Sequence, residues 1–215
     1  MTDGYLVIGA GGHAKVVLDV LLSSGVRVDG CYDSNPALAG KEIITGVRVA
    51  GNMNDAARAR GNSRLIVIAI GENRVRRQLD AFFGGGYGKV VAPSTVIGSG
   101  VRIGDGAMVM PSATVNIGTA IGKHAILNTS CSVDHDCVIG DYAHVAPGSH
   151  LGGNVTIGEG TFLGIGVKVI PGVRIGRWSI VGAGAVVTED LPDNCTAVGI
   201  PAKNIKVRED GWHLM

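Results

Sequence analysis

The stretch VTIGEGTFLGIGVKVIPGVRIGRWSIVGAGAVV, residues 155–187, carries Ile157, Leu163, Val169, Ile175, Val181 and Val187 at intervals of six. Extended toward the amino terminus, the same step lands on Leu151, Val145, Ile139, Val133, Leu127, Ile121, Val115, Val109, Ile103, Ile97 and Val91, all aliphatic. Neither helical nor simple strand periodicity produces an unbroken period of six; self-similarity at a fixed spacing marks a repeat architecture. Four residues after each of these up to Val181 lies a second series that holds only Thr, Val, Ala, Cys or Ser, among them Ala107, Ala125, Cys131, Cys137, Ser149 and Val155. Each repeat therefore offers two inward positions of unlike size. The residue directly after the aliphatic one is often Gly (98, 104, 122, 140, 152, 158, 164, 176, 182), or Asn or Asp at 116, 128 and 134. Those types tolerate positive φ best, which predicts a tight corner at that position.

Hexapeptides of this kind resemble the left-handed parallel β-helix, in which three repeats make one eighteen-residue turn of a triangular prism. That handedness comes from the resemblance, since the usual crossover rule favours the opposite hand. The periodicity itself supplies a stack: residues eighteen apart should lie above one another, about 4.8 Å apart. The tail DLPDNCTAVGIPAKNIKVREDGW (190–212) leaves the register, and its VGIPAK segment resembles the close of many hexapeptide acyltransferases.

Upstream the pattern differs. YLVIGAGGHAKVVLDVLLSSG (5–25) reads as a buried strand, a glycine-rich turn and a helix with Val16, Val17, Val20 and Leu21 on one side. RVDGCYD (27–33) reads as a second strand, NMNDAARARG (52–61) as a short helix, RLIVIAIG (64–71) as a third strand, and NRVRRQLDAFFGGG (73–86) as a helix closed by glycines. Alternating strands and helices predict a small parallel sheet. The predicted fold class is thus mixed: a Rossmann-like α/β domain over 1–88, a left-handed parallel β-helix over 89–192, and a C-terminal tail over 193–215.

Net charge is +1, so no broad basic field is available for nucleic acid or an anionic membrane, and neither partner is expected. No apolar run reaches the roughly 20 residues of a membrane span, and the amino terminus lacks the order of a signal peptide, which predicts a cytoplasmic protein. Cys31, Cys131, Cys137 and Cys195 form no C-x-x-C pair and read as free, packed thiols. With 35 glycines and only 4% aromatics, the interior must be filled by small branched side chains.

The segment VDHDCVIGDYAHVAPGSH (133–150) concentrates the chemistry. His124, His135, His144 and His150 all fall outside the two inward series, which argues against packed core histidines. A zinc site needs three or four converging ligands. His135 and His144 lie half a turn apart, and His144 and His150 occupy different corners, so no metal is expected. Cys131 and Cys137 sit in the small inward series, where a thiol is inert. General-base catalysis suits His135, because a neutral imidazole accepts a proton near neutral pH when a carboxylate fixes its tautomer. Asp134 and Asp136 flank it, and spacing alone does not choose between them. The eighteen-residue stack places Gly153 one coil above His135, with room for a substrate and a backbone N–H that could support an oxyanion.

The strings LNTSCSVDHDCVIGDYAHVAPGSHLGGNVTIGEGTFLGIG (127–166) and GAGGHAKVV (9–17) resemble the bacterial sugar O- and N-acyltransferases, including sialic acid O-acetyltransferases and nucleotide-aminosugar N-acetyltransferases. The resemblance implies His135 as general base with Asp136 raising its basicity, Asn128 near the acceptor sugar, and His144, Ile165 and Ala183 as contacts to acetyl-coenzyme A. Family members often have Glu at the position of Asp136, or Gly at the position of Ala183. It also implies a homotrimer with sites at subunit junctions.

GAGGHA (9–14) is a loose G-x-G-x-x-A match between strand and helix, with Asp33 after the second strand. Such a turn lets a pyrophosphate approach a helix N-terminus. Fewer than ninety residues precede the repeats, enough for one nucleotide diphosphate but not for a full dinucleotide domain. The resemblance implies that Gly11, Gly12 and His13 cradle the diphosphate of a nucleotide sugar, that Asp33 and Ser34 lie near its nucleoside, and that Gly71 lines the same cleft. The basic run NRVRR (73–77) reads as a solvated helix face, with Arg74 open to a phosphate-facing role.

The resulting expectation is an acetyl-coenzyme A dependent N-acetyltransferase acting on a nucleotide-linked 4-amino-4,6-dideoxy sugar, UDP-linked or GDP-perosamine, in surface glycan synthesis. Sugar O-acetylation, a zinc hydratase and a non-catalytic nucleotide-sugar-binding scaffold are the competing readings.

Overall fold

A computed structural model describes residues 3–61 and 64–214. The chain opens with β1 (Asp3–Ile8), α1 (Gly12–Ser23) and β2 (Val28–Tyr32), followed by β3 (Glu42–Ile44), β4 (Val47–Gly51), α2 (Met53–Arg60), β5 (Arg64–Ile68) and α3 (Asn73–Phe83). The sheet order is β3-β4-β2-β1-β5, with β1, β2, β4 and β5 parallel and β3 antiparallel to β4. The β3–β4 hairpin was not foreseen. Its strands are short, with charged Glu42 and Arg48 exposed beside buried Val47 and Val49, and carry no long apolar run.

Helix signals behave as sequence rules require. Asn52 accepts from the amides of Asn54 and Asp55 while the Asp55 carboxylate accepts from Asn52 N–H, a reciprocal cap on α2. Gly84 closes α3 in the left-handed conformation, φ 70°. The buried side of α1 is Ala14, Val17, Leu18, Val20 and Leu21; Val16, expected inward, faces solvent.

From Val90–Val91 to Val186–Val187 the chain runs through seventeen two-residue strands at intervals of six. They stack into three parallel sheets, each strand pairing with the one eighteen residues on: Ile126 with His144, His144 with Phe162, Ser132 with His150. This is the stack foreseen from the hexads, the left-handed parallel β-helix that the resemblance implied. Both inward series fill its interior, including Cys131 and Cys137. Cys195–Val198 adds to the face that carries His144, and Lys203–Val207 pairs back on it antiparallel.

The corner chemistry differs from expectation. Positive φ falls not directly after the aliphatic residue but two positions later, at Gly100, Gly106, Ser112, Gly118, His124, Ser130, Asp136, Tyr142 and onward in steps of six. The glycines after the aliphatic residues serve close approach instead. A Cβ on Gly98 would lie 2.6 Å from Ile117 N, and one on Gly140 2.6 Å from Glu159 N, so stacked coils leave no room for a side chain there.

One outer face of the coil is roofed by the α/β part. Met108, Met110 and Ile126 share a core with Val7, Val17, Leu18, Val49 and Val67. The opposite side of the small sheet packs Leu6, Ile8, Ile66 and Ile68 against Ala56 and Phe83. The roof buries His124 and His144, whose positions outside the inward series had argued against burial. The hexad pattern reports what faces the prism axis and says nothing of what covers the prism from outside.

Arg76 pins the two parts together. It is fully buried, and its guanidinium donates to the carbonyls of His124 (3.0 Å), Ile70 (3.0 Å), Gly71 (2.9 Å) and Tyr142 (2.6 Å) and to Asn73 Oδ1 (2.9 Å). Asn73 Nδ2 in turn donates to Gly160 O at 2.9 Å. The basic run read as a solvated helix face thus turns one arginine inward, where every donor finds an acceptor.

Candidate functional site

Consecutive residues build the proton-accepting group. The left-handed backbone of Asp136 (φ 57°) turns its carboxylate back toward its neighbour, and Oδ2 lies 3.0 Å from His135 Nδ1. Asp134 is engaged elsewhere: its Oδ1 accepts from His135 N at 2.8 Å and from Asn116 Nδ2 at 2.7 Å. The carboxylate accepts, which assigns the ring proton to Nδ1 and leaves Nε2 able to take one. The hydrogen bond with Asp136, aided by the charges of both aspartates, raises the His135 pKa above its ordinary value. The side chain is half-exposed.

Gly153 lies one coil above, as foreseen, but the space over it is occupied by the imidazole rather than left open. A Cβ there would sit 2.5 Å from His135 Nε2 and 2.6 Å from Cε1. Gly153 N–H has no hydrogen-bond partner among the described residues.

His144 differs in kind. It is buried on the roofed face, its Nδ1 donating to Gly71 O (3.2 Å) and its Nε2 accepting from Asn128 Nδ2 (3.0 Å). Burial, reinforced by the Arg76 charge, lowers its pKa to about 3. It is therefore a neutral, oriented imidazole. Asn128 and His144 are brought together. Within one chain His135 is not with them, since it sits at the corner between the other two faces of the prism. Ile165 and Ala183 stack one coil apart on an exposed corner, joined by Gly184 N–H donating to Ile165 O at 2.8 Å, and neither lines the cavity that holds His144.

At the glycine turn, a Cβ on Gly11 or Gly12 would meet nothing within 4 Å, so the space above the turn is open. The first turn of α1 has no side-chain cap and no acid, leaving its amides for an anion. Asp33 braces the turn, accepting from Ala10 N and Asn35 N at 2.8 Å each. His13 projects from the first turn of α1. Burial, then the Arg76 charge, lowers its pKa to about 4, and its Nε2 is buried with no partner among the described residues. Its ring centroid lies 6.4 Å from that of His144.

Three cavities line up along this edge. One, of about 320 Å³, contains Asp33, Ser34 and Asn35. The next, about 300 Å³, contains Gly11, Gly12, His13, Asp33 and Gly71. A third, about 370 Å³, contains Gly71, Arg74, His144, Phe162, Trp178 and Trp212. Asp33 joins the first to the second and Gly71 the second to the third. Sequence reasoning placed Gly71 and His144 but missed Phe162, Trp178 and Trp212. The scarcity of tryptophan, two in the whole chain, was the available signal.

Among the described residues no group of three His, Cys, Asp or Glu side chains could hold a metal ion, and no helix is long and apolar enough to cross a membrane.

Family models match at both ends of the chain: the PglD N-terminal domain over residues 5–80 and the bacterial transferase hexapeptide (six repeats) over residues 154–189. PerB from Caulobacter crescentus, solved with CoA and GDP-perosamine, is 41% identical with a TM-score of 0.88, covering 96% of this chain and 99% of that one. A variant of the GDP-perosamine N-acetyltransferase from the same organism is 40% identical with a TM-score of 0.89, over 96% and 98%. The acetyltransferase domain of PglB from Neisseria gonorrhoeae, in complex with acetyl coenzyme A, is 32% identical with a TM-score of 0.87, over 95% and 100%. A protein of Acanthamoeba polyphaga mimivirus of uncharacterised function is 29% identical over 107 residues; the match spans 46% of this chain and about a fifth (21%) of that relative.

Proposed function

Because this chain belongs to the bacterial sugar acyltransferase family built on hexapeptide repeats, we propose that it transfers the acetyl group of acetyl-coenzyme A to the amine of a nucleotide-linked 4-amino-4,6-dideoxy sugar. The carrier is GDP, as in GDP-perosamine, or UDP. The observation that carries this reading is the run of three joined cavities, which has the order of a nucleotide sugar: nucleoside at Asp33 and Ser34, diphosphate at Gly11, Gly12 and His13, sugar beyond Gly71. Residues 1–88 would hold the nucleotide sugar and residues 89–192 the chemistry, with 193–215 as a tail.

The uncharged sugar amine attacks the thioester carbonyl, forming a C–N bond. His135 Nε2 takes the amine proton while Asp136 holds Nδ1–H, the geometry of a positioned general base. The N–H of Gly153, one coil above His135 and without a partner among the described residues, would support the oxyanion. The tetrahedral adduct then collapses, the C–S bond breaks, and the thiolate leaves and recovers the proton as coenzyme A thiol. His144, neutral and fixed between Asn128 and Gly71, would contact the acetyl donor, with Ile165 and Ala183 along the coenzyme's path and Asn128 near the sugar.

His135 and His144 lie on different sides of one prism, so a single site using both draws them from two subunits, which supports a homotrimer with active sites between copies. Soluble cosubstrates of this kind place the reaction in the cytoplasm. Incubation of the protein with acetyl-coenzyme A and GDP-perosamine or its UDP counterparts, with thiol release followed by a colorimetric reagent, tests the reading. An amine-dependent thiol signal supports it, and binding without thiol release would reduce the protein to a nucleotide-sugar scaffold.

A further inference from the structure

The corner that carries His135 rests on the coil below it. Asp134, His135 and Asp136 stand over Asn116, Ile117 and Gly118, one eighteen-residue turn earlier. Gly118, at φ 77°, leaves room for the Asp136 carboxylate, since a Cβ there would run into Asp136 Oδ1. In the column directly after the aliphatic residues, glycine stands at 98 and 152, and Asn116 and Asp134 occupy the two coils between. These two side chains meet. Asn116 Nδ2 donates to Asp134 Oδ1 at 2.7 Å, the length of a charge-assisted hydrogen bond. The same oxygen accepts from His135 N at 2.8 Å.

The other backbone groups around the ring have fixed partners. Asp134 N donates to Leu151 O, Asp134 O accepts from the buried Thr119 hydroxyl, His135 O accepts from Asn154 N, and Asp136 N donates to Ile117 O. His135 N–H depends instead on a side chain of its own corner. Among the described residues, Asn116 is the one group outside that corner that holds the Asp134 carboxylate. We infer that Asn116 is a positioning residue for the base: it fixes Asp134 on the His135 amide and so sets the backbone from which the imidazole projects. This rests on the reading of His135 as general base. The two aspartates thereby divide the work, Asp134 bracing the backbone and Asp136 orienting the ring. Without Asn116, Asp134 keeps its charge but loses its anchor, and a base that is less well placed costs rate rather than substrate affinity.

Steady-state kinetics of Asn116→Ala, Asp134→Ala and the double variant, with hydrogen exchange at the His135 amide followed by NMR, test this. Asn116→Ala is expected to lower kcat about tenfold with KM for both substrates unchanged, and Asn116→Gln, which keeps the amide donor, to recover most of the loss. Because the two residues act as one unit, the double variant should lose no more than Asp134→Ala alone. The His135 amide should exchange at least about tenfold faster in Asn116→Ala, while Asp136 N–H, held by a backbone carbonyl, keeps its wild-type rate. Multiplied losses in the double variant, wild-type kcat in Asn116→Ala, or unchanged exchange at His135 would overturn the assignment. A wild-type protein that releases no thiol would refute the transferase reading and, with exchange at His135 still accelerated in Asn116→Ala, would leave the positioning of His135 standing.

Discussion

Asp136 Oδ2 lies 3.0 Å from Nδ1 of His135, the residue directly before it in the chain. Neighbouring side chains on a strand point apart. The contact forms here because the hexad corner puts Asp136 at φ 57°, in the left-handed region that Asp tolerates better than most residues. The repeat therefore positions the base and its partner with no contribution from a distant element.

His135→Ala is expected to lower kcat at least about a hundredfold, the scale of a lost general base. The base works only when unprotonated, and Asp136 raises its pKa, so kcat/KM should rise with pH through an inflection above the ordinary 6.5. Asp136→Asn should move that inflection toward 6.5 and lower the plateau. A pH–rate profile unchanged by Asp136→Asn would contradict the pairing.

Gly153→Ala tests the packing of the ring. The new Cβ would sit 2.5 Å from Nε2, so the half-exposed imidazole must swing away. A displacement of this size costs about a hundredfold in rate. Stability should change by less than about 1 kcal/mol because the ring has solvent to move into. Urea unfolding beside steady-state kinetics separates the two effects.

His13 and His144 are neutral in the folded protein, with pKa values of about 4 and about 3. The unfolded chain takes up protons at about 6.5, so protonation favours unfolding. Their contribution to stability is complete above pH 6.5 and is lost as pH falls from there toward 4, by up to about 1.4 kcal/mol per pH unit for each histidine. Urea midpoints at pH 7.5 and 5 should show the loss, and His144→Asn should make it shallower. Equal midpoints would mean that these rings are not buried neutral.

Arg76 holds five acceptors from both halves of the molecule. Arg76→Met keeps the buried stem but orphans those carbonyls, and a loss of at least about 2 kcal/mol is expected on denaturant unfolding. Loss of the Gly71 contact should also loosen His144, which donates to the same carbonyl. An unchanged unfolding midpoint would remove Arg76 from its role as the joint.

The period-six aliphatic series made the prism legible, since nothing but stacked hexads demands Val, Ile or Leu without a break from 91 to 187. It also placed Gly153 beside His135 through the eighteen-residue step. What stayed hidden depends on contacts between distant segments. The burial of His124 and His144 requires the roof made by the α/β part. The inward turn of Arg76 requires carbonyls from residues 124 and 142. The tryptophan wall requires a tail that returns to the coil after leaving its register. Glycine after nine of the seventeen aliphatic residues was visible but misread as a φ requirement, because steric exclusion between coils and backbone freedom select the same residue.

Acetyl transfer to the amine of GDP-perosamine or a UDP-linked 4-amino-4,6-dideoxy sugar, followed by mass spectrometry of the product for wild type and His135→Ala, tests the reaction and its base together. Product heavier by one acetyl group from the wild type, with turnover at least about a hundredfold lower in the variant, is expected. Wild-type turnover in His135→Ala, or an acetyl group found on a hydroxyl rather than the amine, would contradict it.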